Sequence, residues 1–411
     1  MTESPPYIIS WNITRRCALK CPHCYMDSLA MTGGAEAGAS RALAIVDEIA
    51  EFSPGAILIL TGGEPLLRPD IFTIIRVATK RGLTVFLGTS GAELDELMVQ
   101  RLKKAGTLGV GVSLDSATPL YHDRFRGLSG EWAKTIRGME LLKAAGIEFQ
   151  IHFTVTEENK SELESMIELS LKSGAKALNI FFTVCTGRAA TETDEETSLK
   201  PESYETILTE IARRTGGLEE RLKLRARCAP QFMRHLAAID PESPLLMGNT
   251  CGCIAGSSYM RITPLGEITP CPYIPAETGA PHIGAGGKTL QEIWEKEKTF
   301  MGLRGQGLRG RCGLCSYKDI CGGCRARAIA EKGELLASDP SCTYEAVNNA
   351  VSAKKDKSIQ WTKDAEARLL QVPRFLRPMV SKGLERYARH MGITEITPEI
   401  MARLRGKTGR T

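Results

Sequence analysis

From residue 7 to about residue 215, short apolar runs alternate with longer segments in which apolar side chains recur every three or four positions. The runs Tyr7–Ile13, Ala56–Leu60, Thr84–Gly88, Leu108–Leu114, Phe149–Val155 and Ala177–Thr183 read as strands. Helices are expected near 40–52, 70–80, 93–104, 132–144, 160–172 and 202–214. In the first of these Ser40 suits the N-cap, and Leu43, Val46, Ile49 and Phe52 fall near one helical face. The strand runs are uninterrupted more than alternating, which suits a parallel sheet covered by helices. Six β-α units in a row predict an α/β fold, a partial (β/α)6 barrel with its chemistry at the C-terminal strand ends. An open, doubly wound sheet is the competing arrangement.

Beyond residue 216 the texture changes. Gly and Cys become dense up to about residue 345 and regular periodicity fades, so this stretch needs staples in place of a conventional core. A Lys-rich link, Lys354-Lys-Asp-Lys357, leads to a helical segment in which Ser381–His390 reads as helix and Thr397-Pro398-Glu399 as a helix start. The expected domains are 1–215, a barrel; 216–345, a Cys-rich irregular unit; and 355–411, a small helical unit.

In the 411 residues, 42% are hydrophobic and 25% charged, a globular balance. No apolar run approaches the ~20 residues of a membrane span, and the N-terminal MTESPPYIIS lacks a basic-then-apolar export pattern. A cytoplasmic protein with no membrane partner is expected. The net charge of +5 is uneven, because residues 346–411 carry 14 Lys/Arg against 6 Asp/Glu. Aromatics are sparse there (Trp361, Phe375, Tyr387), so the tail reads as a solvated helical surface with no nucleic-acid partner.

Thirteen cysteines in a chain without an export signal point to metal or chemistry before disulfides. Cys17-Ala-Leu-Lys-Cys21-Pro-His-Cys24 follows the first strand. Three thiolates at this spacing can hold three irons of a cubane cluster, leaving one iron open for a ligand; a zinc site with His23 is the alternative. Thr61-Gly-Gly-Glu64-Pro65 ends the second strand, where the glycines permit close backbone approach and Glu64 offers a carboxylate to a cationic amine. Further on come Cys251, Cys253, Cys271, then Cys312-x2-Cys315-x5-Cys321-x2-Cys324, and Cys342. These eight thiols suffice for two four-cysteine clusters, with zinc ribbons as the alternative.

CxxxCxxC after strand one and GGEP after strand two together resemble the radical S-adenosylmethionine (SAM) superfamily. In that family SAM chelates the open iron, and its reductive cleavage yields a 5′-deoxyadenosyl radical that abstracts a substrate hydrogen. The resemblance implies Cys17, Cys21 and Cys24 as cluster ligands and Gly62, Gly63 and Glu64 at the SAM amine. Ser113 and Asp115 match a serine-x-aspartate near the SAM ribose, and Arg188 an arginine near the SAM carboxylate. Ordinary polar strand ends are the other reading of these three. Thr89 and Ser90 also lie at a strand end, and His23 stands where the family often has an aromatic residue near the adenine.

The later cysteines, with Gly266 between Cys253 and Cys271, resemble the SPASM extension, which holds two auxiliary 4Fe–4S clusters. The family pattern has three residues between its sixth and seventh cysteines; Cys321-Gly-Gly-Cys324 has two. Carried over, one cluster takes Cys251, Cys253, Cys271 and Cys324, and the other Cys312, Cys315, Cys321 and Cys342. Cys228 could replace Cys251 or Cys253. The cofactors implied are one SAM-binding and two auxiliary 4Fe–4S clusters with SAM, served by a small ferredoxin- or flavodoxin-type electron donor.

Two further resemblances bear on the substrate. Trp361–Pro373, Arg377-Pro-Met-Val, Glu385–Ala388 and Ile396–Glu399 resemble the small C-terminal domain of a light-independent protochlorophyllide reductase subunit. Ile9–Cys17 and Cys321–Ala328 resemble radical SAM enzymes that alter haem side chains. Both imply a tetrapyrrole substrate whose acetate or propionate side chains are removed or converted. Arg325 and Arg327 could pair with tetrapyrrole carboxylates or simply flank a negative cluster. The alternatives are a SPASM peptide or protein maturase, a pterin or metal-cofactor maturase, and a non-catalytic iron–sulfur carrier.

Overall fold

The computed structural model describes every residue except 1–3, 29–35, 193–197, 219, 242, 248–251, 277–279, 284–287, 306, 346–358, 373–376 and 407–411. Cys251, Phe375 and the Lys354–Lys357 link therefore lie outside the described residues. The strands are β1 (Ile8–Thr14), β2 (Ile57–Gly62), β3 (Thr84–Thr89), β4 (Gly109–Ser113), β5 (Glu148–Val155), β6 (Ala177–Phe182) and β7 (Lys223–Arg227). All seven are parallel and lie side by side in chain order. A doubly wound sheet reverses its order at a switch point; β1 to β7 do not, and the arrangement is a partial barrel. On the other edge of β1, β8 (Tyr259–Ile262) adds in parallel and β9 (Ile268–Thr269) follows it antiparallel.

Between the strands run α1 (Ala39–Phe52), α2 (Ile71–Lys80), α3 (Glu96–Ala105), α4 (Pro119–Arg126), α5 (Glu131–Ala144) and α6 (Leu163–Ser173). The short α7 (Ala189–Glu192), α8 (Pro201–Leu218) and α9 (Phe232–Ile239) follow β6 and β7. Helix ends obey local chemistry. Asp95 caps α3 by accepting from the Met98 amide at 2.6 Å, and Gly106 closes it in the left-handed conformation. The main core forms where Ile9, Trp11, Ile13, Leu58, Leu60, Val110, Val112, Ile151 and Phe153 meet the apolar faces of the helices.

The strands alternate more than the sequence reading expected. On β1 the apolar Ile9, Trp11 and Ile13 interleave with buried Ser10, Asn12 and Thr14. On β1 the inner face carries small or polar side chains, and these are short enough for the run to pass as apolar. Two elements escaped prediction for related reasons. In β7, Lys223-Leu-Arg-Ala-Arg227, three basic side chains hide the strand, and in α4, Pro119 at its first turn reads as a break.

After β9 come α10 (Leu290–Lys296), α11 (Lys298–Arg304), α12 (Gly310–Leu314) and α13 (Arg325–Lys332). Thr289 and Glu292 form a reciprocal capping box at α10, and Trp294 and Phe300 sink into the main core. The tail pairs β10 (Gln360–Trp361) with β11 (Glu395–Ile396) around α14 (Lys363–Leu370), α15 (Arg377–Met391) and α16 (Pro398–Gly406). It buries a small core of its own: Ala365, Leu384, Ala388, Ile396 and Met401. Among the described residues no helix is long and apolar enough to cross a membrane.

Leu60 is fully buried where β2 meets the helices, directly before the Gly-Gly-Glu turn. Leu60→Ala should cost about 2–5 kcal/mol through lost transfer energy and an unfilled cavity. A lowered thermal midpoint checks it.

Candidate functional site

The segment from Arg15 to Ser28 leaves β1 without forming a helix or strand, and it carries Cys17, Cys21 and Cys24. Its main chain is tied down from several sides. The amides of Gly63 and Glu64 donate to Thr14 O at 2.9 Å and Arg16 O at 2.7 Å. The Lys20 amide donates to Arg126 O at 3.0 Å, and the Arg188 amide to Cys24 O at 2.9 Å. These contacts explain the glycines more directly than ligand approach does. A Cβ on Gly62, whose φ is +143°, would stand 2.4 Å from Thr14 O, and one on Gly63 would stand 2.2 Å from Arg16 O. Only glycine lets β2 come this close to the cysteine loop.

Glu64 is buried beneath that loop. Its carboxylate accepts from the Thr89 hydroxyl at 2.8 and 2.9 Å, from the Ser90 amide and hydroxyl at 2.9 and 2.8 Å, and from the Leu66 amide at 3.2 Å. Thr89 and Ser90 thus orient Glu64. Burial pushes its pKa up against these donors, and an adjacent cation would favour its charged form.

Asp115, fully buried beyond β4, accepts from the Thr154 amide at 2.8 Å and pairs with Arg126 at 2.5 Å. Burial opposes its charge, but Arg126 and the neighbouring His23 and His122 hold its pKa below the usual carboxylate value. The Arg126 guanidinium in turn lies 3.7 Å from Cys21 Sγ. His23 stacks flat on Phe125, centroids 4.6 Å apart, and burial lowers its pKa to about 4. Ser113 ends β4 beside His152 of β5. Arg188 is buried and donates to Cys21 O at 2.9 Å, to Ser28 O at 2.7 Å and to Asp27 at 3.1 and 3.2 Å. It holds the loop as a splint.

The later cysteines gather in two groups. Cys228, Cys253, Cys271 and Cys324 are close enough for their charges to act on one another, and burial pushes Cys228 up to about 11 and raises Cys271 and Cys324 as well. Cys312, Cys315, Cys321 and Cys342 line one cavity with Arg234, Arg311 and Tyr344. Cys228 therefore stands with the set that the sequence reading gave to Cys251. Consecutive left-handed glycines, Gly322 and Gly323, make the tight Cys321–Cys324 turn; a Cβ on Gly323 would lie 3.1 Å from Cys312 Sγ.

Between the groups sits a residue the sequence gave no sign of. Asp339, fully buried, accepts from the Cys324 amide at 2.6 Å and from Gln231 at 2.7 Å, and pairs with Arg327 at 3.0 Å. Its own amide points at Cys312 Sγ, 3.5 Å away. Arg325 is buried too, donating to Leu335 O and Ala337 O with one nitrogen 3.8 Å from Cys312 Sγ. Both arginines flank cysteines and are tied within the protein.

A sequence profile described as the radical SAM superfamily matches residues 11–170. An AdoMet-dependent heme synthase of Methanosarcina barkeri is 36% identical over 353 residues, covering 84% of this chain and 98% of the relative. The chain belongs to the radical SAM superfamily. A second AdoMet-dependent heme synthase, from Nitratidesulfovibrio vulgaris, is 33% identical over 82% of this chain and 92% of its own length. The profile of the proto-chlorophyllide reductase 57 kD subunit matches residues 361–405. Streptococcus suis SuiB bound to S-adenosylmethionine shares the fold, with a TM-score of 0.64 at 18% identity over 83% of this chain and 78% of its own.

Membership of this radical SAM superfamily implies a 4Fe–4S cluster and SAM, and the first loop fits both. Its three cysteines are free thiols on one turn, the soft donors such a cluster takes. Burial, with Cys21, Glu64 and Cys24 nearby, pushes Cys17 up to about 12. Arg188→Ala would remove charged hydrogen bonds worth about 1.5–3 kcal/mol each. Amides of residues 21–28 should then exchange with solvent faster while those of β3 and β4 stay protected, as hydrogen-exchange mass spectrometry would report.

Proposed function

We propose that this radical SAM enzyme modifies the carboxylate-bearing side chains of a tetrapyrrole in the formation of a haem-type cofactor. The observation carrying this reading is the 36% identity to an AdoMet-dependent heme synthase across 98% of that relative. The proto-chlorophyllide reductase match over residues 361–405 supports it from an independent part of the chain. Cys17, Cys21 and Cys24 hold the SAM-binding cluster. One auxiliary cluster is held by Cys253, Cys271 and Cys324 with Cys228 or Cys251, and the other by Cys312, Cys315, Cys321 and Cys342. A small electron-donor protein supplies the reducing electron.

Bound together, cluster and SAM supply a carbon radical that abstracts a substrate hydrogen; the chain supplies position and shelter from water. Glu64, fixed by Thr89 and Ser90, receives the SAM amine, with Gly62 and Gly63 keeping β2 against the loop. Ser113 faces the SAM ribose from the end of β4. Asp115 acts through Arg126, whose charge beside Cys21 Sγ offsets the negative charge of thiolates. Arg188 keeps the loop from Cys21 to Ser28 in one shape near the SAM carboxylate. Asp339 joins the two auxiliary sets and would hold their cysteines at a fixed spacing for the clusters they would carry.

Reconstituted, reduced protein should form 5′-deoxyadenosine from SAM under anaerobic conditions, and a decarboxylated sirohaem should stimulate this with a matching mass change in the tetrapyrrole. Slow cleavage indifferent to the tetrapyrrole would overturn the substrate assignment and leave the radical chemistry. Cys17→Ala should abolish cleavage while most auxiliary iron remains; retained cleavage would overturn the ligand assignment.

A further inference from the structure

Several buried or half-buried arginines of this chain have a carboxylate at hand. Arg68 pairs with Asp70 at 2.7 Å, Arg126 with Asp115, Arg188 with Asp27, Arg234 with Glu205 and Arg327 with Asp339. Arg325 is satisfied by carbonyls beside Cys312, and Arg261 by Asn12 and Pro272 O, with its guanidinium over the Tyr25 ring. Arg225 and Arg227 on β7 differ. Among the described residues neither forms a salt bridge, and their acceptors are neutral amides: Gln150 Oε1 at 3.4 Å from Arg225 and Asn179 Oδ1 at 2.9 Å from Arg227. Each guanidinium carries five N–H donors.

Strand alternation puts both on the inner face of the sheet. Leu224 of β7 is buried in the helix-facing core, while Arg225 and Arg227 are half-buried on the opposite side. In register, Arg225 lies beside Asn179 and Arg227 beside Phe181, and Asn179 lies beside His152. His152 is felt electrostatically by Arg227 and Arg225 from one side and by Arg126 and Asp115 from the other. The two arginines thus share the inner face with the groups around the first cysteine loop. Cys228 of the auxiliary set follows Arg227 directly.

Half-buried cations without counter-charges are costly. Two guanidiniums side by side on one face, each with a single neutral side-chain acceptor, keep donors for an anion that arrives from outside. Cα atoms two residues apart on a strand stand roughly 7 Å apart, and long side chains rooted at that spacing on one face can each offer a planar fork to a carboxylate of one flat ligand.

We propose that Arg225 and Arg227 bind the carboxylate side chains of the substrate and so orient it between the SAM-binding loop and the auxiliary cysteines. The proposal rests on the tetrapyrrole reading, which makes those groups ring propionates. It also replaces Arg325 and Arg327, whose donors are used within the protein.

The test is absorbance titration of the anaerobic, iron-loaded full chain with an iron porphyrin tetracarboxylate and with its tetramethyl ester. Wild type should prefer the acid, and R225Q/R227Q should bind it roughly ten- to hundredfold more weakly while binding the ester unchanged. R225K/R227K, keeping charge without the fork, should recover part of the loss. The thermal midpoint of R225Q/R227Q should equal or exceed that of wild type, because two unmatched cations are gone. Undiminished binding of the acid by R225Q/R227Q overturns the proposal and leaves the tetrapyrrole reading standing. A lowered midpoint with intact binding assigns the arginines to the fold instead. Failure of wild type to bind either porphyrin overturns both.

Discussion

A loop that carries Cys17, Cys21 and Cys24 close together and forms neither helix nor strand cannot shape itself. It has no helix or strand to spend its amides on, and like charges held close repel. Here the shape is imposed by main-chain hydrogen bonds from neighbouring elements: Gly63 and Glu64 after β2, Arg126 at the end of α4, and Arg188 after β6. That requirement explains why the parallel strands run in chain order. Each β-α unit brings one more C-terminal strand end around the loop, and several of those ends place a fixing group on it. The Gly62-Gly63 pair is the tightest point, because any side chain there would meet the carbonyls of Thr14 or Arg16.

Charge matching sorts the remaining polar groups. Asp115 with Arg126, and Asp339 with Arg327, are buried pairs whose partners also touch cysteine environments. A buried pair gives little net stability but punishes the loss of either member, so these pairs fix geometry more than they hold the fold together. Arg225 and Arg227 sit side by side with only neutral side-chain acceptors, and such imbalances belong at functional sites, where stability is given up for binding.

The six leading β-α units were legible because their outer faces are apolar, which makes period and run length informative. β7 was not: Leu224 and Ala226 alternate with three basic residues, a strand signal too short and too charged to stand out where regular periodicity fades. The cysteine loop and the Gly-Gly-Glu turn were legible through the resemblance of the two motifs together, where spacing left a zinc site open. What spacing could not carry was their reason, since the glycines answer to backbone approach within the protein and Thr89 and Ser90 to Glu64. Asp339 was silent in sequence because a single aspartate becomes distinctive only when folding sets it between Cys324 and Cys312. Arg325 and Arg327 misled for the opposite reason, since basic residues beside a Cys motif invite an external anion until their carbonyl and carboxylate partners are seen.

The junction at Arg227-Cys228 joins these themes. Cys228 is a non-glycine residue at φ +59°, a conformation that costs an L-residue about 1–2 kcal/mol. The cost follows from two demands on adjacent side chains. Arg227 must keep the strand's inward direction beside Phe181, while one residue later the thiol must turn toward Cys253, Cys271 and Cys324. A glycine would relieve the backbone and lose the thiol; a relaxed residue would keep the thiol and misdirect it. Strain of this kind persists only where the surroundings over-determine the conformation, and here the Arg327 guanidinium, donating to Cys228 O at 3.0 Å, holds the carbonyl in place. The Asp339–Arg327 pair thus reaches past the cysteines it separates and fixes the turn at which the inner face of the sheet meets the auxiliary site.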